Sequence, residues 1–163
     1  MDFKIRDARL SDENAILGIF NQYAENTYAA YTETPEGPEF FRRLWAASSD
    51  YPFYVAENPE SEVIGFALLH AYYQLPVFGR AARITYFIKS EYTCQGLGKL
   101  FLDRLIQEAR AMGIDNILAS ISSLNDQSLR FHQKRGFSEC GRFMKAGRKW
   151  GQDFDEVWMQ KLL

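Results

Sequence analysis

The amino-acid sequence predicts an α/β domain with a mixed sheet, and three observations carry that prediction. Short β-rich runs alternate with amphipathic runs of helical period. The segments between them are brief and rich in turn residues. One strand-to-helix passage is made by the glycine turn Thr93-Cys94-Gln95-Gly96-Leu97-Gly98-Lys99. The order along the chain reads β-α-α-β-β-β-α-β-α-β-β. With 163 residues, 47% of them hydrophobic and 15% aromatic, the chain fits one domain over 1–163 with a substantial core.

Each element has its own signal. Phe3 and Ile5 alternate with charged residues as in a short strand. Ser11-Asp12-Glu13 then supplies a cap and first-turn acids to a helix whose Ala15, Ile16, Ile19, Phe20 and Tyr23 share one face. Residues 26–37 follow neither period. With Thr27, Tyr28, Tyr31, Thr32, Glu33, Thr34 and Pro35 they read as a polar, aromatic loop, the kind of segment that carries binding residues. A second helix follows Pro38, with Phe40, Phe41, Leu44 and Trp45 on its apolar face. Residues 53–56 and 63–69 are β-rich and joined by Asn58-Pro59-Glu60-Ser61, which predicts a hairpin. Residues 72–80 read as a loop and 82–88 as the strand feeding the glycine turn. The helix after that turn repeats Leu97, Phe101, Leu105 and Leu102, Ile106, Ala109, and stops at Gly113. A buried-type strand at 116–121, a helix at 125–135 and strands at 137–144 and 154–162 complete the chain.

Composition excludes several classes. A net charge of −2 and a pI near 5.7 advertise no basic face for nucleic acid, so a small-molecule ligand is expected instead. Cys94 and Cys140 are too few for a disulfide framework and lack metal-ligand spacing, so no metal is expected. The start, Met1 to Arg6, has no apolar signal core, and no run approaches the ~20 apolar residues of a membrane span. These features predict a cytoplasmic protein without membrane contact.

The glycine turn is the first functional candidate. Its glycines permit positive φ and a close approach of backbone to ligand. The first amides of the following helix have no intrahelical partner and lie at the positive end of its dipole. The turn is thus either an anion seat suited to phosphate or a tight connection that binds nothing. A nucleotide phosphate loop is disfavoured, because the Gly-x-x-x-x-Gly-Lys-Ser/Thr spacing is missing.

A second constellation, Asn125-Asp126-Gln127-Ser128-Leu129-Arg130-Phe131-His132 followed by Gly136-Phe137, joins the first. Together they resemble the GCN5-related N-acetyltransferase (GNAT) superfamily, whose loop reads Gln/Arg-x-x-Gly-x-Gly/Ala and whose later helix reads Asn-x-x-Ser/Ala-x-x-x-Tyr/His-x-x-x-Gly-Phe. The second pattern is met in full. The first departs only at Thr93, which removes a helper side chain and leaves the amides. Residues 21–35, 51–57 and 147–160 further resemble the branch similar to phosphinothricin acetyltransferase, which acylates amino acids and related small amines. The resemblance implies the GNAT fold: a mixed, mostly antiparallel sheet of about seven strands with four helices and splayed central strands. It also implies acetyl-CoA as co-substrate, a small amine as acceptor and, as often in the branch, a homodimer supported by the tail strand and Trp158. Thr93, Cys94, Gln95, Gly96, Leu97, Gly98 and Lys99 would hold the coenzyme pyrophosphate, Asn125 would reach the coenzyme, and Phe87 and Ile88 would pair with the pantetheine arm.

Acetyl transfer from a thioester to an amine needs a neutral amine, a donor for the oxyanion and a proton for the departing thiolate. The resemblance puts the oxyanion on a backbone N–H freed where residues 86–88 splay, and thiolate protonation on His132, whose alternative is a packed helix histidine. It credits the base to a Glu ten residues ahead of the loop's first position. Here that position is Arg83. Arg83 either faces outward through a bulge or faces the site, where its guanidinium suits a substrate carboxylate. In the second case the base falls to Glu33, Glu25, a tyrosine such as Tyr31, or water. Cys94 has no neighbouring histidine and direct transfer needs no acyl-enzyme, so it is not read as a nucleophile. His70 reads as structural. The alternative to an enzyme is a coenzyme-A-binding sensor that lost its base, with Arg83 as its mark.

Overall fold

Period-2 alternation sends two sets of apolar side chains to opposite faces of one sheet, and each set is covered by a pair of helices. The computed structural model describes residues 3–163. In chain order the elements are β1 (Lys4–Asp7), α1 (Glu13–Asn26), α2 (Pro38–Ala47), β2 (Phe53–Glu57), β3 (Val63–Ala71) and β4 (Ala81–Ile88). They continue with α3 (Leu97–Ala111), β5 (Asn116–Ser122), α4 (Asp126–Lys134), β6 (Ser138–Lys149) and β7 (Gln152–Leu162). The sheet has seven strands in the order β1-β2-β3-β4-β5-β7-β6. Every neighbouring pair is antiparallel except β4 and β5. Parallel neighbours need a long crossover, and α3 is that crossover.

Leu97, Phe101, Leu102 and Leu105 of α3 bury against Leu69, Ile84, Ile117 and Val157 on one face. Ile16, Ile19 and Phe20 of α1, with Phe41 of α2, bury against Val55, Phe66 and Leu68 on the other. Each fully buried Leu, Ile or Phe among them contributes about 1.5–3 kcal/mol over its exposed state. The helical faces read from sequence are thus the faces used. Gly113, at φ 77°, ends α3 as expected.

Two local outcomes go beyond the sequence reading. Asp12 stands at the cap position of α1, but its carboxylate accepts from Arg6 Nη1 and Nη2 (2.8 and 2.9 Å) and from the Arg9 amide (2.8 Å). Arg6 also donates to Glu57 Oε1 at 2.6 Å, so one half-buried guanidinium ties β1 to β2 and to the start of α1. The last hairpin is the second. The strand predicted at 137–144 extends to Lys149, past a register shift at the left-handed Lys145 (φ 53°), because residues 147–149 pair with β7 again at the sheet edge, where an apolar period is not required. Trp150 and Gly151, both at positive φ (49° and 76°), turn the hairpin with the twist-matched geometry of a two-residue loop.

Candidate active site

The site begins where the parallel pair fails. Strand β4 is registered with β5 only over Ala81–Arg83 against Asn116–Leu118, and beyond Arg83 the two strands part. The Lys89 amide donates to Ile64 O (2.8 Å), which fixes the alternation: Phe87, Thr85 and Arg83 turn their backbone groups to β3, while Ile88, Tyr86 and Ile84 turn theirs into the splay. Tyr23 of α1 donates its phenol proton to the Ile88 carbonyl at 2.5 Å, a carbonyl without β5 beside it. Of Phe87 and Ile88, both expected at the pantetheine arm, only Ile88 turns its backbone into the splay, where Tyr86 does the same. Phe87 instead packs its ring on Phe20, Tyr23 and Phe66.

At the carboxyl end of β4 the glycine turn enters α3. Positive φ falls at Cys94 (59°) and Gly96 (93°); Gly98 already lies in the helix. A Cβ at Gly98 would meet the Phe131 ring at an ordinary 3.4 Å, so of the two glycines only Gly96 needs the left-handed region, a correction to the expectation of positive φ at both. The side chains bond to their own neighbourhood and leave the amides clear. Thr93 Oγ1 donates to Ser90 O (2.8 Å), Gln95 Nε2 to Glu91 O (2.7 Å), and Lys99 pairs with Asp103. Cys94 is exposed, with Sγ 3.4 Å from Gln127 Nε2. Among the described residues, the backbone amides of residues 94–99 donate to no protein acceptor, while the Leu100 amide closes the first helical turn onto Gly96 O. A row of unpaired amides at a helix N-terminus fits a pyrophosphate. Asn125 caps α4, its Oδ1 accepting from the Ser128 amide at 3.2 Å.

His132 is not presented to the splay. It is 3% exposed, its Nδ1–H donates to Ser128 O (2.8 Å), and its Nε2 accepts the phenol proton of Tyr86 (2.5 Å). Burial pushes its pKa down to about 4, and burial also raises Tyr86 above the phenol range. A neutral imidazole whose single N–H is held by the Ser128 carbonyl and whose other nitrogen accepts from Tyr86 has no proton free for a thiolate. The general-acid expectation for His132 is corrected: it packs and orients Tyr86, its rings stacked on Tyr86 at 5.6 Å.

On the opposite face of the sheet, toward α1, a polar cluster lies at the base of the splay. The β3–β4 ladder is unbroken from Gly65↔Ile88 to Ala71↔Ala82, so no bulge turns Arg83 outward. Arg83 stands across from His70, with its guanidinium over the Trp158 ring at 5.0 Å. Among the described residues it makes no hydrogen bond or ion pair, and the neighbouring Trp158 Nε1 is buried without a partner. Trp158 thus belongs to this cluster. Tyr31, from the 27–37 loop, stacks on Phe154 (5.6 Å, 17°) and shares a 2.9 Å hydrogen bond with Ser120 Oγ, which donates to Glu156 Oε1 at 2.6 Å. Burial, and to a smaller degree Glu156, raise the Tyr31 phenol; burial and Arg83 lower His70. Ser120 and Glu156 were not singled out from sequence. Their positions on facing strands β5 and β7 are a tertiary fact with no local signal.

The other proposed bases are elsewhere. Glu33 accepts from the Trp150 amide at 2.5 Å and so pins the loop to the β6–β7 hairpin, which corrects its reading as a catalytic acid–base group. Glu25 is exposed at the end of α1. The buried Lys149 completes the tie, its Nζ donating to the carbonyls of Ala24, Thr27 and Ala30 at 2.7, 2.6 and 3.0 Å.

The family model of the acetyltransferase (GNAT) family matches residues 16–137. The chain is 32% identical to an L-methionine sulfoximine/L-methionine sulfone acetyltransferase of Pseudomonas aeruginosa, over 98% of this chain and 94% of that protein. It is 30% identical to an L-amino acid N-acyltransferase of Escherichia coli, over 96% and 91%. Among solved structures it resembles a phosphinothricin acetyltransferase from Sinorhizobium meliloti in complex with acetyl-CoA, at a TM-score of 0.93 and 28% identity, covering 100% of this chain and 89% of that one. The amide row, the splay between β4 and β5 and these likenesses agree, and the chain belongs to the acetyltransferase (GNAT) family as an N-acetyltransferase.

Proposed function

We propose that this enzyme transfers the acetyl group of acetyl-CoA to the α-amine of an amino acid or close analogue, of the kind that the methionine-sulfone and amino-acid relatives act on. The observation that carries the acceptor class is Arg83. A half-buried guanidinium without an anionic partner, beside an unpartnered indole N–H, is a seat for a carboxylate. The amides of residues 94–99 hold the pyrophosphate, with Asn125 beside them, and the Tyr86 and Ile88 backbone faces the pantetheine arm and the thioester carbonyl. Bound acetyl-CoA supplies an activated acetyl group. The chain's residues align the amine with it and hold the acceptor's carboxylate away from the thioester. The free, exposed cysteines support a cytoplasmic site of action. Exposed Phe143 and Met144 on the edge strand β6 support a homodimer, which sedimentation showing only monomer at assay concentrations would remove.

The test is thiol release from acetyl-CoA with amino acids, methionine sulfone and the matching decarboxylated amines. Amino acids are expected to react and their decarboxylated partners to react poorly. Arg83→Met is expected to raise the KM for the amino acid about 10–100-fold, the loss of a charged hydrogen-bonding partner, with coenzyme A affinity unchanged. Equal rates for an amino acid and its decarboxylated amine in the wild type would overturn the carboxylate assignment.

A further inference from the structure

Position 83 carries no acid, yet the amine enters as an ammonium and has to lose a proton before it can attack. A carboxylate does stand at the base of the splay, on a different strand. Glu156 of β7 accepts from Ser120 of β5, and Ser120 in turn is hydrogen-bonded to the phenol of Tyr31. Because Ser120 spends its only proton on Glu156, the remaining bond has one direction: Tyr31 donates to Ser120. The Tyr31 oxygen is left with free lone pairs, on a residue 45% exposed, on the face that holds Arg83. The groups packed around Glu156 are few in kind. Its ladder partners are Ser122 on β5 and Phe143 on β6, and the titratable or charged side chains on that face include Tyr31, His70 and Arg83, with Tyr72 against Trp158 and Lys149 farther along β6, held by the carbonyls of Ala24, Thr27 and Ala30. Asp155 points the other way, to Arg142 and the Lys145 amide.

We propose that Tyr31, Ser120 and Glu156 form the proton relay of this enzyme, with Glu156 as the terminal acceptor, in place of an acid on β4. The inference rests on the N-acetyltransfer reading above. One ammonium proton passes to the Tyr31 oxygen as the phenol proton moves to Ser120 and the seryl proton to Glu156, which becomes neutral. The freed nitrogen lone pair forms the C–N bond to the acetyl carbon, the C–S bond breaks, and a second nitrogen proton leaves with the sulfur as thiol. Glu156 then returns its proton to water, so amide, thiol and one proton are the products. Arg83 holds the substrate carboxylate while the phenol receives the ammonium, which sets the distance between the two groups of an α-amino acid.

The test compares the wild type with Glu156→Gln, Tyr31→Phe and His70→Gln. Two acceptors are used: the best amino acid from the panel and its α-aminooxy analogue, whose nitrogen is neutral at assay pH. Glu156→Gln and Tyr31→Phe are expected to lower kcat/KM for the amino acid about 100-fold and to replace the acidic limb of its pH profile by a rise that follows the amine's own ionisation at higher pH. The aminooxy acid should lose no more than about threefold, since it has no proton to remove. Coenzyme A affinity, read by calorimetry, stays constant and reports an intact fold. Equal losses for both acceptors would reduce Glu156 to a structural role and overturn the relay. Retention of rate and limb by Glu156→Gln would also overturn it, and loss of the limb in His70→Gln alone would give the role to His70. A wild type that binds coenzyme A but acetylates no amine would instead sink the transferase reading itself.

Discussion

The two ends of the splay are built from different material. At the end proposed for the coenzyme the unpaired groups are backbone amides of one continuous turn, residues 94–99, and the side chains of Thr93, Gln95 and Lys99 bond to other groups. At the end proposed for the acceptor they are side chains from a loop and three strands: Tyr31, Arg83, Ser120, and Glu156 with Trp158. Short of proline, a side-chain exchange leaves the backbone amide in place, so the first end tolerates a departure such as Thr93. The second depends on each residue's identity, and an exchange of charge at one position changes what the site binds. This difference explains how the coenzyme motif can be retained while position 83 carries Arg.

The sharpest way to break the comparison is to spoil the backbone end through a side chain. Gly98→Asp places a Cβ at van der Waals contact with Phe131 and a carboxylate among the unpaired amides. Repulsion of the pyrophosphate should weaken coenzyme A binding roughly 100-fold or more, about 3 kcal/mol, measured by calorimetry. Unchanged affinity would show that the coenzyme phosphates sit elsewhere.

A second effect of similar size concerns stability and not binding. The folded pKa of His132 is about 4, below the unfolded value of ~6.5, so the unfolded chain binds the extra proton between those limits. Stability from this group is therefore full above about pH 6.5 and lost as pH falls toward 4, by about 3 kcal/mol in total. Denaturant midpoints of the wild type should drop across that window, and those of His132→Gln should change less. Parallel pH dependence in both proteins would contradict a buried neutral imidazole.

The legibility of the chain follows the same division. Gly96, the amphipathic run of α3 and the Asn125-to-Phe137 pattern are local signals, because helix caps and positive φ are set by neighbours in sequence. The helical faces of α1 and α3 were legible for that reason, and the direction of Arg83 was fixed only by the unbroken β3–β4 ladder. His132 occupies a family position, but its role depends on Tyr86, a strand away, and on burial that no spacing encodes. Glu33 sits in the loop expected to wall the site, yet its carboxylate closes onto Trp150 across the hairpin. Ser120 and Glu156 lie on β5 and β7, paired through the ladder, and nothing near either residue signals the other.

The last and smallest prediction separates the two ends directly. Gly147 of β6 pairs with Phe154 of β7, and the Phe154 ring lies across the glycine so closely that a Cβ there would overlap it. Tyr31 stacks on the same ring at 5.6 Å. Gly147→Ala should therefore push Phe154 toward the loop, shift Tyr31 off Ser120 and cost about 1–2 kcal/mol of stability, the usual scale of overpacking. Because the glycine turn follows β4, in the middle of the sheet and away from this edge hairpin, coenzyme A affinity should hold. The kcat/KM for the amino acid should fall about tenfold, since a displaced phenol no longer lies in line with Ser120. A matched loss of coenzyme affinity would mean that the two ends are mechanically joined through β5, and that the division between backbone and side-chain recognition is not a division of the molecule.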